Sequence, residues 1–264
     1  MPEDSFVSMH VEERIALVTI DHPKVNALSD AVMDQLDAAL EQIMDDEEVK
    51  VVIITGAGQS AFVAGADIRR LAVLATTRDR AGANWFARRG QALFDKIEGC
   101  EKPVIAAVNG AALGGGLELV LACHIRILSE RAVMAAAESN LGLVPGWGGS
   151  QRLARLIGAG RALEWILTGD FVSAQEALRI GLANRVVPAG ELMAEAFGLA
   201  RKLAAKSKLT NAGAIREVIN GLELPLAEAM DYEAVQFASL FDSHDAAEGL
   251  SAFLQKRPAE FTDN

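Results

Sequence analysis

The chain has 264 residues, of which 51% are hydrophobic and 23% are charged, and its net charge is −11. This composition is typical of a globular protein and excludes wholesale disorder. The negative charge argues against a protein that binds nucleic acid or anionic membranes, so an anionic ligand would need a local basic patch.

Targeting and metal-binding signals are missing from the sequence. Residues 1–5 are acidic and lead into no apolar stretch, so we expect no secretory signal. The apolar run at residues 117–123 contains a glutamate and is too short to span a bilayer. Two cysteines, Cys100 and Cys123, and four scattered histidines offer neither a disulfide framework nor metal-ligand spacing. We therefore expect a cytoplasmic, metal-free protein that binds neither nucleic acid nor membrane.

Apolar strands and amphipathic helices alternate over the first 190 residues. Residues 14–20 predict a strand, Ser29 is a plausible N-cap for a helix to about residue 44, and residues 51–55 predict a buried parallel strand. A mixed segment precedes a helix at residues 85–97. Next come a strand, a helix and two short strands, at residues 104–108, 114–122, 125–128 and 133–135. This order predicts an α/β domain with right-handed crossovers.

The pattern changes after residue 190. From about residue 191 to 254 only helical periodicity is present, with breaks near Ser207, residues 221–225 and Ser243. We therefore divide the chain into a core of residues 1–190 and a helical region of residues 191–264.

Two glycine-flanked segments are candidates for a functional site: residues 64–68 (AGADI) and residues 114–118 (GGGLE). Consecutive glycines before a helix cost backbone entropy. Either close packing of the helix on a sheet requires them, or a helix N-terminus is left open to a negative oxygen. Residues 56–61 superficially match a dinucleotide-binding fingerprint, but poor helix sequence follows them, and we interpret them as a turn.

Two glutamates accompany these segments. Glu118 lies about one turn into an apolar helix, where a lone carboxylate is uncommon unless it is paired or functional. It is either in a buried ion pair with Arg126 or Arg152, or an acid or base whose pKa burial raises. Glu138 by itself also suits a capping role. Two carboxyls that face each other would suit acid–base chemistry at a polarised carbonyl, although spacing alone does not show that they converge.

Taken in order, these motifs resemble the crotonase (enoyl-CoA hydratase/isomerase) family. The likeness runs from about residue 10 to 261 and includes residues 23–28 (PKVNAL), 64–68, 114–119, 138–153, 178–187 and 252–258. The resemblance implies repeated ββα units wound into a superhelix. It also implies a C-terminal helical region that builds homotrimers, commonly stacked as dimers of trimers.

The resemblance further implies an activity. The family binds acyl-CoA thioesters and holds the thioester oxygen between two backbone N–H groups, here those of Ala66 and Gly115. Glu118 would deprotonate the water that adds at C3, and Glu138 would deliver a proton to C2. Hydratases keep both glutamates, isomerases typically keep the second, and dienoyl-CoA isomerases carry an aspartate where this chain has Gly146. Hydration of a trans-2-enoyl-CoA is thus favoured over another crotonase-type reaction, such as isomerisation or hydration of an alicyclic or aromatic-derived acyl-CoA. A non-catalytic CoA- or RNA-binding member is least favoured.

The remaining site residues are also implied by the resemblance. No cofactor is expected, because CoA is part of the substrate. Trp147 replaces a usually small residue and either reshapes the acyl pocket or packs outward. His124 departs from a common aspartate. The substrate-binding positions are Lys24, Ala27, Ala64, Asp67, Ile68, Gly114, Trp147 and Lys256, the last reaching a neighbouring subunit's nucleotide; Arg69 and Arg70 are either further cations for CoA or solvated surface residues.

Overall fold

The computed structural model of the chain describes residues 5–264, so most of the acidic start, on which the expectation of no secretory signal depends, lies outside the described residues. The described part forms strands β1 (Val7–Glu12), β2 (Ile15–Ile20), β3 (Val51–Gly56), β4 (Ala61–Val63), β5 (Val104–Val108), β6 (Ala111–Leu113), β7 (Ile125–Ser129), β8 (Val133–Ala135), β9 (Val172–Ser173) and β10 (Arg185–Val187). Its helices are α1 (Asp30–Asp45), α2 (Ile68–Thr77), α3 (Arg80–Glu98), α4 (Gly115–Ala122), α5 (Gly149–Ile157), α6 (Ala159–Thr168), α7 (Ala174–Arg179), α8 (Leu192–Ala204), α9 (Lys208–Gly221), α10 (Leu226–Ser239) and α11 (His244–Gln255).

The strands form two sheets, and consecutive strands often alternate between them. One sheet has the order β1-β2-β3-β5-β7-β10 and the other has the order β4-β6-β8-β9. The pairs β3–β4, β5–β6 and β7–β8 each place one strand in the first sheet and the next in the second, and helices follow each pair. Within the sheets, β1–β2 and β8–β9 are antiparallel and the other pairs are parallel. The predicted fold of repeated ββα units is therefore confirmed.

Local sequence signals explain the strongest elements. The Ser29 hydroxyl accepts a hydrogen bond from the N–H of Val32, and α1 then buries one apolar face that includes Leu36 and Ile43. All six residues of β3 are buried, as expected of a strand with parallel neighbours on both sides. Helices α9 and α11 begin after the predicted breaks at Ser207 and Ser243, whose hydroxyls cap them.

Several elements were not predicted, namely strands β1, β4, β6, β9 and β10 and helices α2, α5, α6 and α7. Helix α2 occupies part of the mixed segment, and α3 begins five residues earlier than expected because Asp79 caps it. Strands β4 and β6 have three residues each, too few for a periodic pattern. They are defined by pairing with each other and with β8, which are contacts distant in sequence.

Helix α8 covers the face of the first sheet opposite the main core. Its buried Leu192, Ala196 and Ala200 pack against strand residues such as Ile53 and Ile105. The first helix of the 191–264 region thus shares a core with the strands of residues 1–190. The division at residue 190 remains a prediction. Within residues 5–264, every helix is too short or too polar to cross a membrane.

Candidate active site

A cavity of about 540 Å³ lies between α2, α3, the start of α4 and residues 137–147. Its walls are mostly apolar, and they include Leu71, Leu74 and Phe86. Both glycine-flanked segments and both glutamates line this cavity, through Ala66, Gly115, Glu118 and Glu138. An apolar pocket with a few convergent polar groups is the usual form of a small-molecule site.

The segment at residues 64–67 is held by backbone hydrogen bonds to the loop before α1. Ala64 N–H donates to Val25 O at 3.0 Å, Leu28 N–H to Gly65 O at 2.8 Å, and Asp67 N–H to Leu28 O at 3.2 Å. These bonds alternate along the segment and leave out the N–H of Ala66, which has no hydrogen-bond acceptor within the described part of the chain.

A second free N–H comes from the start of α4. Gly114 N–H donates to Ala135 O at 2.8 Å, so β8 holds the residue before the helix in place. Gly115 is the first residue of α4, and the first N–H groups of a helix have no carbonyl partner within it. A methyl group on Gly65 would lie 3.9 Å from Gly115 N, which shows that the two segments are adjacent. Two backbone N–H groups without a partner in residues 5–264 therefore line one cavity.

Different structural features explain why residues 114, 115 and 116 are all glycine. Gly114 has φ +50°, in the left-handed region that favours glycine. A methyl group on Gly116 would lie 1.9 Å from Val63 O, so this residue allows α4 to pack closely against β4. Close packing therefore explains Gly116, and it also explains Gly115, where a methyl group would lie 2.4 Å from the Trp147 ring. That the N–H of Gly115 binds a negative oxygen remains a prediction.

Glu118 is buried in the first turn of α4 and is held by a backbone turn. Its Oε1 accepts hydrogen bonds from the N–H groups of Trp147 and Gly149, both at 2.8 Å. Burial, together with the charge of nearby Glu138, raises the pKa of Glu118 to about 7, against the lowering effect of these two hydrogen bonds. A carboxyl with a pKa near neutrality is suited to gain and lose protons at physiological pH.

The expected alternative, a buried ion pair at Glu118, is wrong. Arg126 instead donates to the carbonyl oxygens of Cys123 and Leu182. Arg152 pairs with Glu98 and Asp95, at 2.7 and 2.6 Å. Within residues 5–264, Glu118 thus has no salt-bridge partner.

Glu138 follows β8 in a short 3-10 turn that spans Ala137–Leu141. Its carboxyl lies close to the start of α4, since a methyl group on Gly114 would come within 3.1 Å of Glu138 Oε1. Its Oε2 is buried and has no hydrogen-bond partner among residues 5–264. Burial also raises the pKa of Glu138. An unpartnered carboxyl oxygen at a cavity wall is available to a ligand.

Trp147 packs inward, so the outward orientation is excluded. Its side chain is buried and lies between Gly90 of α3 and Gly115 of α4, where methyl groups would come within 2.1 and 2.4 Å of the indole. The indole Nε1 donates to Phe86 O at 3.2 Å, and the ring packs against Phe94. The indole therefore forms part of the cavity wall directly beside the Gly115 N–H.

The other predicted substrate-binding residues divide into two groups. Ala64, Ile68 and Gly114 line the cavity. Lys24, Ala27, Asp67 and Lys256 are not among its lining residues, and their contacts with CoA remain predictions. Lys24 and Lys256 are exposed, and Lys256 ends α11.

The Asp67 side chain has a local role. It caps α2 by accepting from Arg69 N–H, and it forms an ion pair with the Arg69 guanidinium at 3.1 Å. The hydrogen bond from Arg69 lowers the pKa of Asp67. Arg70 faces Asp30 at 3.9 Å. Both arginines therefore already have acidic neighbours.

Of the apolar cavity walls, sequence reasoning named Ile68 and Trp147 but missed Leu71, Leu74, Ala75 and Phe86. Ile68, Leu71, Leu74 and Ala75 recur at helical spacing and all line the cavity, so the amphipathic pattern of α2 was an available signal. His124, in contrast, is structural: Val104 N–H donates to its Nδ1, so Nε2 carries the proton and donates to Glu98 O. Burial lowers the pKa of this imidazole.

Comparisons with known proteins agree with this architecture. A family model described as enoyl-CoA hydratase/isomerase matches residues 10–264. A probable enoyl-CoA hydratase of Bacillus subtilis is 41% identical over 256 residues, 97% of this chain and 98% of that protein. A short-chain-enoyl-CoA hydratase of Clostridium acetobutylicum is 40% identical, with 96% of each chain covered. The crystal structure of enoyl-CoA hydratase from Bacillus anthracis matches with a TM-score of 0.93 at 36% identity, covering 98% of this chain and 100% of that one. The chain therefore belongs to the enoyl-CoA hydratase/isomerase family, also called the crotonase family.

Proposed function

We propose that this protein is an enoyl-CoA hydratase, which adds water across the 2,3 double bond of a trans-2-enoyl-CoA to give a 3-hydroxyacyl-CoA. The observation that carries the proposal is the convergence of Glu118, Glu138 and the free N–H groups of Ala66 and Gly115 on one apolar cavity. The names of the relatives support the same activity.

The two backbone donors would stabilise negative charge on the thioester oxygen. When the oxygen of the water bonds to C3, the electrons of the double bond move through C2 onto the thioester oxygen, which becomes enolate-like. Donors that are already aimed at the oxygen need no reorganisation, and each is worth ~10²–10³ in rate in comparable sites. Ala66 and Gly115 fit this role because their N–H groups have no acceptor among residues 5–264 and lie on adjacent segments.

The two carboxyls would divide the proton transfers. Ionised Glu118 takes a proton from the water whose oxygen bonds to C3, and protonated Glu138 gives a proton to C2. Burial raises the pKa of both groups, and the pKa of Glu118, at about 7, allows proton exchange near neutral pH. Solvent returns the pair to its starting protonation after product leaves. The step needs no redox or metal cofactor.

Crotonyl-CoA is the first substrate to test, because the relative from Clostridium acetobutylicum is named a short-chain-enoyl-CoA hydratase. We expect the purified protein to remove the ultraviolet absorbance of the enoyl thioester. Glu118→Gln and Glu138→Gln should each abolish this activity, while the exposed Glu164→Gln serves as a control. If Glu118→Gln kept full activity on an isomerase substrate, double-bond isomerisation would replace hydration as the function.

A trimer, or a dimer of trimers, is the assembly that we propose. Large apolar side chains are exposed on α10 and α11 of the isolated chain, among them Phe237, Phe253 and Leu254. Exposed apolar patches of this kind mark interaction surfaces. Light scattering on the purified protein tests the oligomeric state directly, and a monomer would refute the proposal.

We also propose a cytoplasmic location and contacts of Lys24 and Lys256 with CoA. Measuring the binding of CoA to the Lys24→Ala and Lys256→Ala variants tests the contacts.

A further inference from the structure

The backbone turn that holds Glu118 has a second side. On one side, the N–H groups of Trp147 and Gly149 donate to Glu118 Oε1. On the other side, the carbonyl of Trp147 accepts a hydrogen bond from Arg152 Nη1 at 3.2 Å. A methyl group on Gly148 would lie 2.3 Å from the same Nη1, so the guanidinium lies directly against the turn. Arg152 thus holds the peptide that lies between the two N–H donors.

The position of Arg152 is itself set by α3. Its Nη2 pairs with Asp95 at 2.6 Å and with Glu98 at 2.7 Å, and its Nε donates to Glu98 at 3.0 Å. The Arg152 side chain is 10% exposed. A guanidinium bound at two edges by carboxylates is a rigid fork, whereas a lysine ammonium would be a flexible point charge.

The turn needs such support because of its glycines. Gly148 has φ +101°, a conformation open to glycine, and α5 starts at Gly149. A glycine-rich turn has more accessible backbone conformations than other sequences. Rotation of the peptide between Trp147 and Gly148 would misdirect the N–H groups that bind Glu118. The Arg152 contact on the carbonyl of this peptide opposes that rotation.

We propose that Arg152 is a positioning residue for Glu118, which acts through the turn at residues 147–149 and links this turn to Asp95 and Glu98 of α3. The inference rests on the proposed hydratase function for its kinetic consequence. Its geometric and electrostatic consequences hold whatever the reaction.

The charge of Arg152 predicts a shift in the pKa of Glu118 that a loss of packing alone would not produce. The charged groups that act on Glu118 are Glu138, which raises its pKa, and Arg152, which lowers it. Asp95 and Glu98 partly neutralise Arg152 from α3. Removal of the Arg152 charge should therefore raise the pKa of Glu118, while removal of the Glu98 charge should lower it. A loss of packing alone has no reason to shift the pKa in opposite directions.

The experiment compares the full-length wild type with Arg152→Gln, Arg152→Lys, Glu98→Gln and the control Arg155→Gln. Arg155 lies on the same helix and lines the same small polar cavity as Arg152, but it is exposed and pairs with Glu223. One readout is kcat and KM with crotonyl-CoA. The other is the titration midpoint of the Glu118 carboxyl by ¹³C NMR with labelled glutamate, assigned by the signal missing from Glu118→Gln.

For Arg152→Gln we expect kcat to fall on the order of tenfold to a hundredfold, because small misplacements of a catalytic group are costly, with little change in KM. The midpoint should rise in Arg152→Gln and fall in Glu98→Gln. Arg152→Lys should keep the wild-type midpoint and recover part of kcat, and Arg155→Gln should match the wild type.

An unchanged kcat in Arg152→Gln, or midpoints that move in the same direction in Arg152→Gln and Glu98→Gln, would overturn the proposal. If Arg152→Gln does not fold, the Glu98→Gln midpoint decides: a fall supports the proposal, and no fall overturns it. A wild-type protein without hydratase activity would refute the proposed function but not the positioning role, which the titration still tests.

Discussion

Glutamine in place of Glu118 should stabilise the protein at alkaline pH. Burial raises the pKa of Glu118 from 4.5 to about 7. A group whose pKa is raised by folding favours the folded state in its protonated form. Its contribution is therefore fully present below the pKa of the unfolded chain and is lost as the pH rises through about 7. One pKa unit corresponds to about 1.4 kcal/mol, so the ionised carboxylate costs about 3 kcal/mol above that range.

Glu118→Gln removes the charge but keeps the hydrogen-bond acceptor. The amide oxygen still accepts from the N–H groups of Trp147 and Gly149, which donate to Glu118 Oε1 at 2.8 Å. Hydrogen bonds to a charged acceptor are stronger than those to a neutral one, which reduces the gain. We therefore expect the free energy of unfolding at pH 9 to rise by roughly 2 kcal/mol, and the variant and the wild type to be similar at pH 5.

The assay is a series of thermal unfolding curves between pH 5 and pH 9, at one protein concentration because assembly shifts the midpoint. For a chain of this length, ~2 kcal/mol corresponds to a rise of about 4–8 °C in Tm at pH 9. The exposed Glu164→Gln is the matched control and should show no trend with pH. A difference in Tm that is constant with pH, or larger at pH 5 than at pH 9, would refute the reasoning.

Three further substitutions test other contacts. Gly115→Ala would place a methyl group 2.4 Å from the Trp147 indole, and we expect kcat with crotonyl-CoA to fall by ~10²–10³ because the N–H donor is displaced. Trp147→Ala should enlarge the cavity and raise kcat/KM for longer enoyl-CoAs relative to crotonyl-CoA, at a stability cost of about 3–5 kcal/mol measured by urea unfolding. Asp263→Ala removes the ion-pair partner of Lys50, whose side chain is 2% exposed and keeps only a hydrogen bond to Lys206 O, and should destabilise the fold by about 3–5 kcal/mol in the same assay at pH 7. Burial alone would raise the pKa of Asp263, but its bonds to Lys50, to the N–H of Lys208 and to Arg14 outweigh burial and lower it. Its stabilising effect is therefore present above the pKa of an unfolded aspartate and fades as the pH falls through the lower folded value.

Wild-type kcat in Gly115→Ala would mean that the N–H at this position does not bind the thioester oxygen. Unchanged chain-length preference in Trp147→Ala would show that the indole does not limit the acyl pocket. A stability loss for Asp263→Ala that grows below pH 3 would contradict the assigned ion pairs.

Local sequence patterns were enough for the larger elements. The hydroxyl at Ser29 and the apolar spacing that follows it predict α1, and the apolar run of β3 predicts a buried strand. Strands β4 and β6 escaped prediction because only their tertiary pairing defines them. Helix α8 was recognised as a helix, yet its contact with the outer face of the first sheet depends on chain folding over long sequence distances.

The candidate site was less accessible to physical reasoning from sequence. Burial of Glu118 in an apolar helix was foreseeable, but its partners were not, because two backbone N–H groups replaced the expected arginine. Because every residue except proline carries a backbone N–H, the residue types do not reveal which of these groups act as donors. The resemblance to a family located Ala66 and Gly115, whereas their adjacency follows from the pairing of β4 with β6. The inward orientation of Trp147 required knowing that Gly90 lies opposite it.

The contact of Trp147 with Gly90 and Gly115 constrains the order in which mutations can accumulate. A side chain at Gly90 would collide with the indole while Trp147 is present. The same change would have space once Trp147 has become small, and there it would fill part of the space that the indole leaves. Gly90→Ala should therefore be harmful alone and beneficial after Trp147→Ala, which is sign epistasis. A change at Gly90 would therefore have to follow a change at position 147.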